Sequence, residues 1–163
     1  MAIDHPDQHK VSALYDRVIV GLLWIGFCAR ALPILSQGLW RDEVDQWRFA
    51  YFTLDELLGN LTRPGWNGPL YSLLLRAWIT ITGDTVYSMR YLSVLFGVLS
   101  ISDVYVLSRL LIGRQRAATA ALLVAVSPYM VWYAQEIKMY TWVPFLVMLA
   151  LYGTVRGAAT GCG

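Results

Sequence analysis

The residues best suited to chemistry fall in two short stretches. Leu39-Trp40-Arg41-Asp42-Glu43 sets two carboxylates side by side, just after an apolar run that closes near Leu35. A carboxylate where the chain leaves lipid for water suits general-base work. The plainer alternative is that Asp42 and Glu43 open a helix, whose positive end favours acids. The second stretch, Ser127 to Tyr140, brings Gln135, Glu136, Lys138 and Tyr140 together among aromatic residues. These four could form a polar cup over a membrane surface, with the lysine binding a phosphate as a point charge; an aromatic belt around a solvated turn is the alternative. Asp103 stands inside an apolar run, either as a proton or ion site or as a group that pairs with a neighbouring helix or reaches the inner interface. His5 and His9 have a metal-compatible i, i+4 spacing, but Pro6 and the polar tail around them argue against a metal site. The apolar runs contain no histidine to hold a haem, and no glycine-rich phosphate loop is present. The expected cofactor is therefore none, with a divalent cation left open.

The elements that must position these residues follow from composition and charge. The 163 residues are 57% hydrophobic and 15% charged, with a mean hydropathy of +0.49. Soluble domains carry about 45–50% apolar and about 25% charged residues, so a membrane protein is indicated. The net charge of +2 provides no basic field for nucleic acid. Cys28 and Cys162 make neither a disulfide framework nor a metal-binding spacing.

Apolar runs and charge placement predict an all-α integral membrane protein with four transmembrane helices, over 17–36, 88–112, 116–135 and 139–156. A polar tail over 1–16 precedes them, and its pattern is not that of a signal peptide. A spanning helix needs about 20 mostly apolar residues, and the first two runs meet this if Arg30 and Arg109 snorkel to the interfaces. Lys10 and Arg17, then Arg109, Arg114 and Arg116, then Arg156 fall on one side of such a fold. The positive-inside rule makes that side cytoplasmic. The N-terminus is then cytoplasmic, in the cell (inner) membrane, and residues 37–87 face outward. Within that outer segment, 42–58 and 70–81 read as two amphipathic interfacial helices, parted by Gly65, Gly68 and Pro69, with Thr53 or Asp55 available to cap a second piece within the first.

Taken in order, several pieces resemble the N-terminal part of the GT-C membrane glycosyltransferases, in particular the protein-mannosyltransferase and aminoarabinose-transferase group. They are Leu39 to Glu43, Gly68-Pro69-Leu70-Tyr71-Ser72-Leu73-Leu74, Ser88-Met89-Arg90-Tyr91-Leu92-Ser93, Ser127-Pro128, Tyr133-Ala134-Gln135-Glu136 and Met139-Tyr140. The resemblance implies transfer of a sugar from a polyprenyl-phosphate donor to an acceptor hydroxyl at the outer membrane face. Asp42 would be the catalytic base, and Glu43 would orient the acceptor or Asp42. Arg90 and Lys138 would meet the phosphate, with Gln135, Glu136 and Tyr140 lining the substrate site. It also implies a longer protein with more spans, so the chain is expected to be truncated relative to the family. The expected partners are a lipid-linked sugar donor, membrane lipids and other membrane subunits, and no nucleic acid. Two alternatives stand beside the enzyme: a non-catalytic subunit of a larger membrane complex, and a small oligomeric transporter built on Asp103.

Overall fold

The structure, a computed structural model, describes residues 6–61 and 69–161, with side chains from residue 14 onward. The described residues form eight helices and no strand: α1 (Pro6–Ala31), α2 (Arg41–Ala50), α3 (Leu54–Gly59), α4 (Pro69–Thr82), α5 (Val86–Ile112), α6 (Arg114–Val126), α7 (Pro128–Tyr133) and α8 (Trp142–Thr160). The side chains of His5 and His9, the Gly65–Gly68 break and Cys162 lie outside the described residues.

α5 is the axis of the fold. Its 27 residues reach about 40 Å at about 1.5 Å per residue, and it packs against α1, α4, α6, α7 and α8. The Thr85 hydroxyl starts it by accepting the Ser88 N–H at 3.2 Å, as an N-cap should. Gly113 alone joins α5 to α6, at φ 86°, a conformation that glycine adopts without steric cost. Ala117, Ala121 and Ala125 recur at every fourth residue of α6 and are fully buried against Leu22 of α1 and Ile101 and Tyr105 of α5. Small side chains at that spacing let three helices approach closely.

A second core lies toward the other end of α5. Tyr71 and Leu75 of α4 pack there with Ala50, Met89, Leu92 and Ile137. Polar bonds fasten the same layer. Gln46 Nε2 donates to Ser72 Oγ at 2.8 Å, and Trp78 Nε1 donates to the Ser88 carbonyl at 2.8 Å. Arg76 donates to the Ala50 carbonyl at 2.6 Å and to that of Phe52, closing the end of α2. The described residues of the 37–87 segment thus form three helices, the 42–58 stretch being divided into α2 and α3. The additional break comes at Thr53, which caps α3 in a reciprocal box with Glu56.

Among the described residues two helices are long and apolar enough to cross a membrane: Val86–Ile112, partly buried inside the protein, and Trp142–Ala159, which has no buried residue. The tail expected over 1–16 is helical from Pro6 onward, since proline is compatible with a first helical turn. The run over 116–135 is not one helix. It breaks at Ser127-Pro128, because proline lacks the N–H that would continue the α6 ladder and its ring clashes with the carbonyl four residues back.

Arg30 departs furthest from expectation. It does not snorkel to an interface but is 0% exposed, between α1, α5 and α6. Two glycines make room for it. A Cβ on Gly97 would stand 3.1 Å from Arg30 Nε and 2.9 Å from the Ala134 Cβ. A Cβ on Gly26 would stand 3.2 Å from Arg30 Nη1. Gly97→Ala should therefore lower stability by about 1–3 kcal/mol, the usual cost of an overfilled site. Gly21→Ala, which meets nothing within 4 Å, should be neutral or stabilising by up to about 1 kcal/mol. Thermal unfolding of the two variants in the same detergent checks the contrast.

Candidate active site

The site is built on a buried ion pair. Glu43 stands at the third position of α2, where it reaches back to accept the Trp40 N–H at 3.1 Å, as in half of a capping box. Its carboxylate also meets Arg90 of α5, and both residues are 1% exposed. Arg90 Nε donates to Glu43 Oε1 at 2.9 Å, and Nη2 donates to Oε2 at 2.7 Å. The remaining Arg90 hydrogens go to the carbonyls of Ile34 at 2.8 Å, Gln37 at 2.9 Å and Gly38 at 3.0 Å. A guanidinium has five N–H donors, and here protein groups occupy all of them. Glu43 Oε1 takes one further bond, from the Ile137 N–H at 2.9 Å. The pair thus ties together the chain leaving α1, the start of α2, the start of α5 and the connection between α7 and α8.

These bonds decide what each residue can do. Arg90 has no donor left for a phosphate, and Glu43 has both oxygens engaged, so neither is free to touch a ligand in this arrangement. Asp42, one position earlier on α2, is exposed and accepts no hydrogen bond from any described residue. It projects from the rigid turn that Glu43 anchors.

Across from Asp42 runs the 134–141 connection. Glu136 accepts the Trp132 indole N–H at 3.0 Å. Tyr133 packs tilted against Tyr129, ring centres 4.5 Å apart, and edgewise on Tyr140, 4.7 Å apart. Asp42 and Glu136 both lie close enough to Tyr140 for their charges to act on its phenol. Partial burial raises the Glu136 carboxyl above the usual carboxylate range, opposed by the Trp132 bond and reinforced by the negative charges of Glu43 and Asp42. Lys138 is 4% exposed, and its ammonium makes no hydrogen bond or ion pair with any described residue. Its backbone carbonyl accepts the Ser93 hydroxyl at 3.3 Å. Gln135 is 7% exposed, with no side-chain partner among the described residues.

The structure therefore brings Asp42, Glu136 and Tyr140 to one place and sets Glu43 and Arg90 beneath them as the support. Asp103 is remote from this group, in the half of α5 that packs on α6, with Oδ2 buried and unpaired. The part played by Trp132 was missed, although its i, i+4 spacing to Glu136 is a signal for such a bond on a helical turn. The described residues include no group of three or more His, Cys, Asp or Glu arranged to hold a metal ion.

A polar cup at the end of an apolar helical bundle is what a membrane glycosyltransferase-like protein requires, and comparison with known proteins places the chain in that class. It belongs to the dolichyl-phosphate-mannose-protein mannosyltransferase family, whose profile matches residues 63–161, well over half of the chain. The matched stretch holds Arg90 and the whole 127–140 region; Asp42 and Glu43 precede it. No curated protein and no solved structure matches the chain.

Two measurements test this account of the site. Arg90→Met leaves a buried carboxylate without its cation and should cost about 3–5 kcal/mol, read as a fall in melting temperature that Asp42→Asn does not share. Glu136 should also give the protein a pH dependence. Its carboxyl binds a proton more tightly folded than unfolded, so its contribution to stability falls as pH rises from the unfolded carboxyl range through the raised folded value. Glu136→Gln should flatten that part of the melting-temperature profile and raise the melting point at pH 7.

Proposed function

We propose that this protein transfers a sugar from a polyprenyl-phosphate donor to an acceptor hydroxyl, with Asp42 as the general base. The observation that carries this reading is the exposed Asp42 carboxylate, on the turn that Glu43 and Arg90 fasten, close to Glu136 and Tyr140 of the 134–141 connection. The family supplies the donor class, since its name describes transfer from a lipid-linked mannose to protein.

In the proposed step the acceptor oxygen attacks the anomeric carbon as its proton passes to the Asp42 carboxylate. The bond from that carbon to the phosphate oxygen breaks, and polyprenyl phosphate leaves with the electron pair. The carbon inverts in a single displacement. Lys138 meets the phosphate as a point charge. Glu136, Tyr140 and Gln135 line the substrate side. Glu43 and Arg90 act as positioning residues, holding Asp42 in register with the 134–141 connection.

Topology belongs to the same proposal. We place four spans over 17–36, 88–112, 116–135 and 139–156, the third broken at Ser127-Pro128, with α2, α3 and α4 at the outer interface. The N-terminus and Arg114 then face the cytoplasm, and Asp42 faces away from it.

Asp42→Asn keeps the shape of the side chain but removes the base. It should lower transfer from dolichyl-phosphate mannose to a serine- or threonine-containing peptide by about 10²–10⁴-fold, with the melting temperature unchanged. Asp103→Asn should leave transfer intact. Equal transfer by Asp42→Asn and the parent protein would overturn the assignment of the base.

A further inference from the structure

The break between α6 and α7 leaves a problem that only one side chain answers. In a continuous helix the N–H of residue 128 would bond to the Val124 carbonyl, and that of Tyr129 to the Ala125 carbonyl. Pro128 has no N–H, and the chain turns at Ser127 (φ −60°, ψ 119°), so both carbonyls lose their helical donors. These are the two carbonyls that Arg30 serves from α1. Its Nη2 donates to Val124 O at 3.0 Å, and its Nη1 donates to Ala125 O at 3.0 Å and to Gly26 O of its own helix at 2.9 Å. No carboxylate pairs with it among the described residues. The negative end of α6 is its counter-charge, and Gly26 and Gly97 leave the slot it fills. Within a bundle of apolar helices, an orphaned buried carbonyl would otherwise stand unsatisfied.

We propose that Arg30 is a positioning residue: its guanidinium replaces the backbone donors that the Pro128 break removes, and so fixes the direction in which α7 and the 134–141 connection leave α6. Through that connection it sets Trp132, Glu136 and Lys138 against Asp42, a consequence that rests on the glycosyl-transfer reading above. Val131 N–H bonds to Ser127 O at 2.9 Å and starts α7 afresh, so the angle at the break is held by Arg30 on one side and by this new turn on the other.

A double-mutant cycle tests the proposal. Arg30→Met should lower the melting temperature of the full chain by roughly 10 °C, the expected effect of stripping donors from two buried carbonyls. In the Pro128→Ala background, where residue 128 regains its N–H, the same change should cost less than half as much. Arg30→Lys should recover part of the loss, since an ammonium can still donate to both carbonyls. If Arg30→Met alone yields no folded protein, recovery of folded protein in Arg30→Met/Pro128→Ala supports the proposal, and loss of both overturns it. Equal, additive shifts in the two backgrounds also overturn it. These readouts require no transfer activity, so they stand or fall apart from the enzymatic reading. The functional half is read in transfer: Arg30→Met/Pro128→Ala should regain stability without regaining transfer, because a straightened α6–α7 carries Glu136 away from Asp42. Full recovery of transfer in that variant would remove the positioning role.

Discussion

A carboxylate and a guanidinium taken out of water lose several kcal/mol of hydration each, and their mutual attraction compensates only when every remaining lone pair and proton finds a partner. Glu43 and Arg90 meet that condition. Five donors on one side and four bonds on the other connect segments that lie 47 and 94 residues apart in sequence. No apolar packing could fix these segments as closely, because hydrophobic contact has no direction whereas a two-pronged ion pair does. The chain between α1 and α2, the start of α5 and the α7–α8 connection share one reference point, and the geometry around Asp42 follows from it.

The lower half of the bundle rests on a different principle. There the interface of α6 is a column of alanines, and close backbone approach takes the place of side-chain interlocking. Arg30 lies at the end of this column, a long charged side chain against Gly26, Gly97 and Ala125. Along α5, then, buried charge is met in two ways: by an ion pair at Arg90, and beside Gly97 by the end of α6, against which Arg30 lies.

The class of the fold was legible because apolar runs near 20 residues with so few charges admit little besides helices. The cap at Thr53 was legible only as one of two candidates, beside Asp55, and the start of α1 was less so, since caps depend on single residues and shift easily. The pairing of Glu43 with Arg90 could not be read at all. Adjacency in sequence made Asp42 and Glu43 look like equals, and nothing local says which carboxylate turns inward. The helical register decides that: Glu43 sits at the third position of α2 and faces α5, while Asp42 at the second faces out. Arg30 looked like an interfacial charge, and Arg90 like a phosphate partner, for a similar reason. A composition window counts an arginine as a cost and is blind to carbonyls left over by a proline 98 positions away.

Ser93 has a consequence of its own. Its hydroxyl touches the Tyr71 phenol at 3.2 Å and the Lys138 carbonyl at 3.3 Å, and its carbonyl takes the Thr141 hydroxyl at 2.9 Å. One small residue thereby couples α4 mechanically to both flanks of the lysine. Loss of that one hydroxyl would therefore loosen α4 and the stretch carrying Lys138 together rather than one at a time.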